Sequence, residues 1–502
     1  MIKKVLIANR GEIAVRVMRS CRELGIKTVA VFSEADRTSM HVRYADEAYY
    51  IGPSPSNESY LVIDKILQIA KKSKADAIHP GYGFLSENAE FSHRCMDEGI
   101  IFIGPSAFAI NTMGDKITAR KTMIKADIPV IPGTTEKIKD IKSAEKIITD
   151  IGLPVIIKAS AGGGGKGMRL VRKISDVSSA IRAAKSEAKV SFGDDSVYIE
   201  KYIDSPHHIE FQILADRHGN VIHLFERECS VQRRHQKVIE ETPSPLMNEK
   251  IRNEMGNHAV AAAKAVNYEG AGTIEFIVDD DLNYYFLEMN TRLQVEHPIT
   301  ERVVGIDLVK EQINIANGEK LRYKQNDLKQ NGHSIECRIY AEDPDKDFMP
   351  NPGKIKHITE PFGLGVRIDG YVYEGYEIPM YYDPLISKLI VWAKTREEAI
   401  ARLKRALYNY KITGVKTTIK FLERILDCPD FVSGKYNTHF IEENRNFLIS
   451  KKKSVGKFQD IAIITAFIDY ITKIEKLQPE KPSHKLCNNW KDFGRKKGVL
   501  RL

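Results

Sequence analysis

Several stretches of this 502-residue chain carry side chains whose type and spacing suit the handling of anions. In PVIIKASAGGGGKGM (residues 154–168), four consecutive glycines and Lys166 follow an apolar run that ends in Lys158. Met168 stands where a phosphate-binding P-loop needs a hydroxyl, and GMRLVR continues as strand rather than opening a dinucleotide-binding helix. A strand, a glycine loop and a second strand instead predict a hairpin flap. Its backbone N–H groups would face a phosphate anion, with Lys166 nearby. Lys158 is costly to bury without a fixed anion, and Lys116 in GDK offers a second such cation.

Glu275 and Glu288 lie on two strand-like runs, GTIEFIVDD and NYYFLEMN, joined by a short turn. Adjacent antiparallel strands place two such carboxylates side by side, and like charges so close call for a cation between them. A small set of oxygen ligands favours Mg²⁺ that also touches substrate phosphates, and Asn290 extends the same polar edge. In NTRLQVEHP, Arg292, Gln294 and Glu296 alternate with Leu293 and Val295, so an extended backbone would turn all three polar groups to one side. An arginine fork, an amide donor and a carboxylate base form a grip for a small oxyanion such as bicarbonate.

The charge-dense run ERECSVQRRHQKVIEETP holds Gln232, His235 and Lys237, candidates for the anion and a nucleotide, while its remaining charges are expected to pair with one another. His208 in PHHIEFQ could approach a ribose or phosphate. HPGYGFLSEN has two turn glycines that bring Tyr82 and Glu87 to a cleft, and Arg338 on the strand-like HSIECRIYA needs an anionic partner.

The elements that must position these groups follow from periodicity. From KKVLIA (residues 3–8) to IIFIGP, short apolar strands alternate with amphipathic helices, the pattern of parallel βαβ units. From MGDK onward an antiparallel sheet is predicted, and a mixed strand–helix region follows at about 332–446. A basic linker, an apolar helical segment near 461–474, a Pro/Lys-rich break and NNWKDFGRKKGVLRL close the chain. Apolar residues make up 42% and charged residues 28%, a soluble globular mix, and a net charge of +9 without a basic–aromatic tract does not argue for nucleic acid. The six cysteines are dispersed without CxxC spacing, so reduced structural thiols are expected. No signal peptide or membrane span is read, which places the expected location in the cytoplasm.

IANRGEIA, HPGYGFLSEN, MGDK, KASAGGGGKGM, QRRHQKVIEE, EMNTRLQVEHP, ECRIYAEDP and YYDPLISKL occur in this order over residues 1–446. Together they resemble biotin carboxylase, the ATP-grasp component of biotin-dependent carboxylases. The resemblance implies an α/β and α+β chain with a Rossmann-like N-terminal domain (1–114) and an ATP-grasp core (115–331) with a mobile lid at about 131–204. A mixed C-terminal domain (332–446) and a tail (447–502) complete it. ATP would be held by Lys116, Lys158, Gly163–Gly165, Glu200, Lys201, His208, Gln232 and His235. Glu275 and Glu288 would bind Mg²⁺ or Mn²⁺, with Asn290 alongside. Bicarbonate would lie against Lys237, Arg292, Gln294 and the Val295 backbone, with Glu296 as its base. Arg338 would stabilise the biotin enolate near Tyr82.

The Glu275-to-Glu288 spacing is one residue longer than expected of the bacterial type, within DDDLN, and a register slip there would turn one carboxylate away. No biotin-attachment AMKM and no carboxyltransferase region is read, so the biotin is expected on a separate partner polypeptide. Arg16, Arg19 and Glu23 match a surface that pairs two subunits, implying a homodimer. The tail resembles that of the A-subunits of two-subunit pyruvate carboxylases, with acetyl-CoA or propionyl-CoA systems as the alternative. The rival readings are another ATP-grasp ligase, carbamoyl-phosphate or aminoimidazole-ribonucleotide carboxylating, and a non-catalytic nucleotide-binding scaffold.

Overall fold

A computed structural model describes residues 1–134, 136–138, 140–159, 168–449 and 456–477. Gly163, Gly164, Gly165 and Lys166 lie outside the described residues. Residues 1–449 form one compact unit and residues 450–502 another.

Strands β1 (Lys4–Ile7), β2 (Lys27–Ser33), β3 (Glu47–Gly52), β4 (Ala77–His79) and β5 (Ile101–Phe102) form an all-parallel sheet in the order β3-β2-β1-β4-β5. The strand order reverses between β1 and β4, where an open α/β sheet leaves a crevice at the carboxyl ends of its strands. The segments leaving those two strands, Asn9–Gly11 and Gly81–Phe84, enclose that crevice. The Asn9 amide donates to the carbonyls of Pro80 (2.8 Å) and Tyr82 (2.7 Å). At Gly81 φ is +66°, and a Cβ would stand 2.8 Å from the Asn9 amide nitrogen, so this turn accepts only glycine without rearrangement.

Strands β6 (Val155–Ala159), β7 (Arg169–Val171) and β8 (Val197–Lys201) form a small antiparallel sheet in the order β7-β6-β8. The predicted hairpin around the glycine run is therefore present on its two described flanks. The main sheet contains β9 (His207–Ala215), β10 (Val221–Arg233), β11 (Gln236–Thr242), β12 (Gly270–Val278), β13 (Tyr284–Asn290) and β14 (His333–Tyr340), followed by Val366–Gly370 and Leu385–Ala393. Its order is β13-β12-β9-β10-β11-β14, then Leu385–Ala393 and Val366–Gly370 at the far edge. The sheet thus runs on across residue 332, because β14 pairs with β11 from Ile239↔Cys337 to Thr242↔Ser334.

Two sequence expectations need correction. Residues 291–296 are not extended: β13 stops at Asn290, and the chain bends and turns into the helix His297–Val304. Glu296 is the N-cap residue (φ −83°, ψ 8°), and Pro298 lies in the first turn of the helix, where its missing N–H costs no intrahelical bond. The charges of residues 226–243 do not mainly pair with one another. Glu226 holds Arg252, Arg227 holds Glu210, Arg233 holds Glu342, and Arg234 holds Asp347. β10 and β11 are central strands, so the nearest oppositely charged groups lie on neighbouring strands and crossing segments.

In the second unit, the apolar segment near 461–474 is part of a helix, Gly456–Leu477, with Ile464, Phe467, Ile468 and Ile471 exposed.

Candidate active site

A rung of charge crosses four strands of the main sheet. Glu288 on β13 is the register partner of Glu275 on β12, which pairs with Glu210 on β9, which pairs with Arg227 on β10. Register partners project from the same face, so three carboxylates and one guanidinium form a row. Within the β12–β13 turn Asp279 accepts N–H bonds from Asp281 and Asn283, and the ladder shifts register once, between Glu275 and Phe276, while Glu275 keeps Glu288 as its partner. Neither carboxylate is therefore turned away from the other.

Lys237 reaches over this row from β11. Its ammonium lies 2.6 Å from Glu210, 3.0 Å from Glu275 and 2.7 Å from Glu296. Burial disfavours its charge, but Cys229 and the three carboxylates outweigh that and push its pKa well up. Burial likewise works against ionised Glu296, yet Lys237, Arg338 and Arg227 hold the carboxyl well below the usual range. Glu296 is fully buried and also meets Arg338 at 3.1 Å, while Arg338 donates through Nε to Glu240 at 2.6 Å. Arg338 therefore has the anionic partners its inward position required.

Around this centre, Arg292 donates to Glu87 (2.8 Å), Asn290 (2.8 Å) and Gln294 (3.1 Å), and Gln294 donates to Glu275 (3.0 Å). His208 lies 2.8 Å from Glu275 through Nε2 and 2.7 Å from the Gln232 amide through Nδ1. Lys158 meets Glu200 at 2.6 Å, and Arg120 meets the same carboxylate at 3.1 Å. Lys116 is near Glu288, Lys158 and Glu200, and its pKa is lowered chiefly by burial. Lys201 turns to the carbonyls of Gly152 and Leu153. His235 is not gathered in. It lies exposed in the two-residue turn between β10 and β11, where φ is +50° at Arg234 and +65° at His235.

Glu288 stands apart from the other carboxylates. It makes no hydrogen bond or ion pair among the described residues, and burial followed by the Glu275 charge pushes its carboxyl up. A half-buried carboxylate that is repelled by its cross-strand partner, and that the nearby Lys116 charge offsets without an ion pair, suits a divalent ion, so the pair fits the metal predicted for it. The cluster His208, Glu210 and Glu275 also has metal-like spacing, but Lys237 and Arg227 already neutralise it.

Beside this centre opens a cavity of about 490 Å³ at the switch point of the parallel sheet. Arg292, Val295 and Arg338 line one wall, and Tyr82, Glu12 and Tyr382 another. Glu296, through Lys237 and Arg338, connects the carboxylate row to this cavity. Sequence reasoning missed Glu210, Glu240 and Glu12. Glu210 had a visible signal, since HHIEFQILA alternates Ile209, Phe211 and Ile213 with Glu210 and Gln212. The others sit in apolar or charge-rich runs without such a pattern.

Three family profiles cover the compact unit in order: "Biotin carboxylase, N-terminal domain" over residues 1–110, "Carbamoyl-phosphate synthase L chain, ATP binding domain" over 115–324 and "Biotin carboxylase C-terminal domain" over 336–443. The pyruvate carboxylase A-subunit of Methanothermobacter thermautotrophicus is 56% identical over 457 residues, 91% of this chain and 93% of that one. Biotin carboxylase 1 of Bacillus subtilis is 56% identical over 443 residues, 88% of this chain and 98% of that one. The chain belongs to the biotin carboxylase family. A crystal structure of the biotin carboxylase domain dimer of Hydrogenobacter thermophilus 2-oxoglutarate carboxylase, in complex with MgADP, ADP and bicarbonate, matches at TM-score 0.86. It is 50% identical, covering 90% of this chain and all of that one. This biotin carboxylase is an ATP-dependent ligase with the ATP-grasp fold expected from its motifs. No described helix is long and apolar enough to cross a membrane, and the five described cysteines are free and buried, with Cys487 outside the described residues.

Proposed function

We propose that this biotin carboxylase uses ATP and bicarbonate to carboxylate biotin carried on a separate polypeptide. The observation that carries the reading is the placement of Glu296, 2.7 Å from Lys237 and 3.1 Å from Arg338, between the carboxylate row and the cavity. Lys237, Arg292, Gln294 and the Val295 backbone would hold bicarbonate against Glu296, which removes its proton. The bicarbonate oxygen then attacks the γ-phosphorus of ATP, displacing ADP and forming carboxyphosphate. Lys116, Lys158, His208, Gln232 and Lys201 would orient the nucleotide, His235 would approach it from its exposed turn, and Glu200 would hold Lys158. Glu275 and Glu288, with Asn290 beside them, would bind Mg²⁺ or Mn²⁺, which supplies charge neutralisation at the phosphates.

Carboxyphosphate breaks its C–O bond to give CO₂ and phosphate. The phosphate takes the N1 proton of biotin, Arg338 stabilises the enolate in the cavity beside Tyr82, and N1 bonds to CO₂. Water would hydrolyse carboxyphosphate, so the glycine run predicted to close over ATP belongs to this reading.

The domain division is taken as 1–114, 115–331 with a lid at about 131–204, 332–446 and 447–502, in a cytoplasmic homodimer. Arg16, Arg19 and Glu23 line a second cavity of about 480 Å³ that suits a contact between two copies. The acceptor reached through the partner is taken as pyruvate, the substrate named for the M. thermautotrophicus relative, with acetyl-CoA or propionyl-CoA as the alternative. Residues 450–502 hold thirteen Lys and Arg against five Asp and Glu, which suits docking of the tail to an acidic partner protein.

The test is ATP cleavage by purified enzyme with bicarbonate and free biotin. Bicarbonate-dependent cleavage accelerated by biotin is expected. Bicarbonate-dependent cleavage indifferent to biotin would favour a different ATP-grasp ligase, and no cleavage at all would favour a scaffold. Purifying the native complex and identifying its biotinylated component and carboxyltransferase decides the acceptor.

A further inference from the structure

Lys388 is the fully buried ammonium that the site described so far does not use. It lies on the strand Leu385–Ala393, directly across from Arg338 on β14. Its Nζ donates to the Val295 carbonyl at 2.9 Å and pairs with Glu12 at 3.1 Å, while Asp369 stands 4.0 Å away. Glu12 Oε1 also accepts from the Tyr82 hydroxyl. Asp369 is in turn held at 2.7 Å by Arg367. One cation therefore joins the helix Gly11–Glu23, the turn that carries Gln294, Val295 and Glu296, and the strand Val366–Gly370.

We infer that Lys388 is a positioning residue for both halves of the reaction: its ammonium holds the Val295 peptide so that the turn presents its anion-binding groups, and through Glu12 it sets the Tyr82 hydroxyl on the biotin side. Three features support this. The turn 291–296 has no ladder to fix it, since β13 has ended. Among the described residues, the donor that reaches the Val295 carbonyl is the Lys388 ammonium. A buried charge is retained where its hydrogen bonds specify geometry, and the side chain here spans three segments with one such group. Pulling on the carbonyl side of a peptide orients the planar unit as a whole, including the groups that follow it.

The inference rests on the biotin carboxylase reading, and one experiment separates the two. In wild-type enzyme, biotin-stimulated, bicarbonate-dependent ATP cleavage tests the reading itself. With that in hand, Lys388→Met is expected to raise KM for bicarbonate and for free biotin by about tenfold or more each, with KM for ATP within about twofold, because misplacement of about 1 Å is enough to cost such factors. Lys388→Arg, which keeps a buried donor cation, is expected to recover part of the loss. Asp369→Asn, on the side of Lys388 away from the cavity, is expected to lower the melting temperature without the KM split. If Lys388→Met does not fold, Lys388→Gln combined with Glu12→Gln leaves less uncompensated buried charge and is read for the same split. Equal shifts in all three KM values, no shift in a folded variant, or failure of both variants to fold would each overturn the positioning role and leave Lys388 a structural cation.

Discussion

Glu275 and Glu288 face each other directly across two antiparallel strands, yet only one of them is tied down. Glu275 is held by Lys237 at 3.0 Å and His208 at 2.8 Å, whereas Glu288 has no hydrogen bond or ion pair among the described residues. The two carboxylates should respond differently to amide substitution. Glu288→Gln is expected to raise the Mg²⁺ concentration for half-maximal ATP cleavage by about tenfold or more, with little change in melting temperature. Glu275→Gln should lower both metal affinity and stability, because Lys237 and His208 lose a buried partner. Metal titrations beside thermal melts of the two variants check this, and equal effects on stability would contradict it.

Glu296 is ionised throughout the working range, because Lys237, Arg338 and Arg227 overcome its burial. Its folded pKa is depressed, so its contribution to stability is present above the ordinary value of 4.5 and is lost only as pH falls through the lower folded value. Glu296→Gln should reduce bicarbonate-dependent turnover by about 10²–10⁴-fold while the protein stays folded. The wild-type rate profile should show no acid limb from Glu296 above about pH 5. Steady-state rates across pH, with circular dichroism of the variant, measure both.

Burial pushes the Glu240 carboxyl up to about 7, against the pull of Arg338. Protonation weakens the 2.6 Å hold on the Arg338 Nε, so the orientation of that guanidinium depends on pH near neutrality. Biotin-stimulated turnover should therefore rise as pH increases through about 7, and Glu240→Gln should flatten that rise. Since its folded pKa is raised, the preference of the fold for protonated Glu240 is fully present below 4.5 and is lost as pH rises towards about 7. A profile for biotin-stimulated turnover that is unchanged in Glu240→Gln would remove Glu240 as its source.

Glu241, one residue on, points away from the reaction. Its carboxylate binds His333 at 2.6 Å and Arg396 at 2.7 Å, and accepts the Tyr436 hydroxyl at 2.5 Å. It clasps the main sheet to the helix Arg396–Asn409 and to the segment carrying Tyr436. Burial opposes its charge, but His333 and Arg396 lower the pKa to about 2. Glu241→Gln should cost about 3 kcal/mol of stability at neutral pH, with kcat per folded molecule unchanged. The stability difference from wild type should be full above pH 4.5 and should shrink as pH falls towards 2, as urea unfolding at several pH values would show.

The division between β-rich elements and helices was largely legible, because apolar period and glycine punctuation report local structure. The parallel sheet, the flanks of the glycine hairpin and the Glu275–Glu288 pairing follow that pattern. The turn at residues 291–296 was misread as extended because Arg-Leu-Gln-Val-Glu alternates polar and apolar groups as a strand does. Where the strand has ended, Glu87 accepts from the Thr291 N–H at 3.0 Å from 204 residues earlier, and the chain then turns into the helix His297–Val304. The partners in the charge-dense hairpin were misassigned because pairing across a sheet depends on which strands become neighbours. Tyr82, Glu87 and Arg338 were legible as cleft or inward residues, but their partners Glu12, Arg292 and Glu240 were not.

By itself the sequence determined the inventory: an anion-handling set of lysines, arginines and carboxylates, the strand pair that brings two carboxylates together, and the turns that open a crevice. Those properties are local, set by side-chain chemistry and by backbone preferences over a few residues. Only the tertiary structure decided that Lys237 gathers Glu210, Glu275 and Glu296, that Arg338 shares Glu296 with it, and that Lys388 ties the anion turn to Tyr82. These contacts join groups far apart in the chain, and their strength comes from burial in a low-dielectric interior that exists only once the sheets and helices have packed.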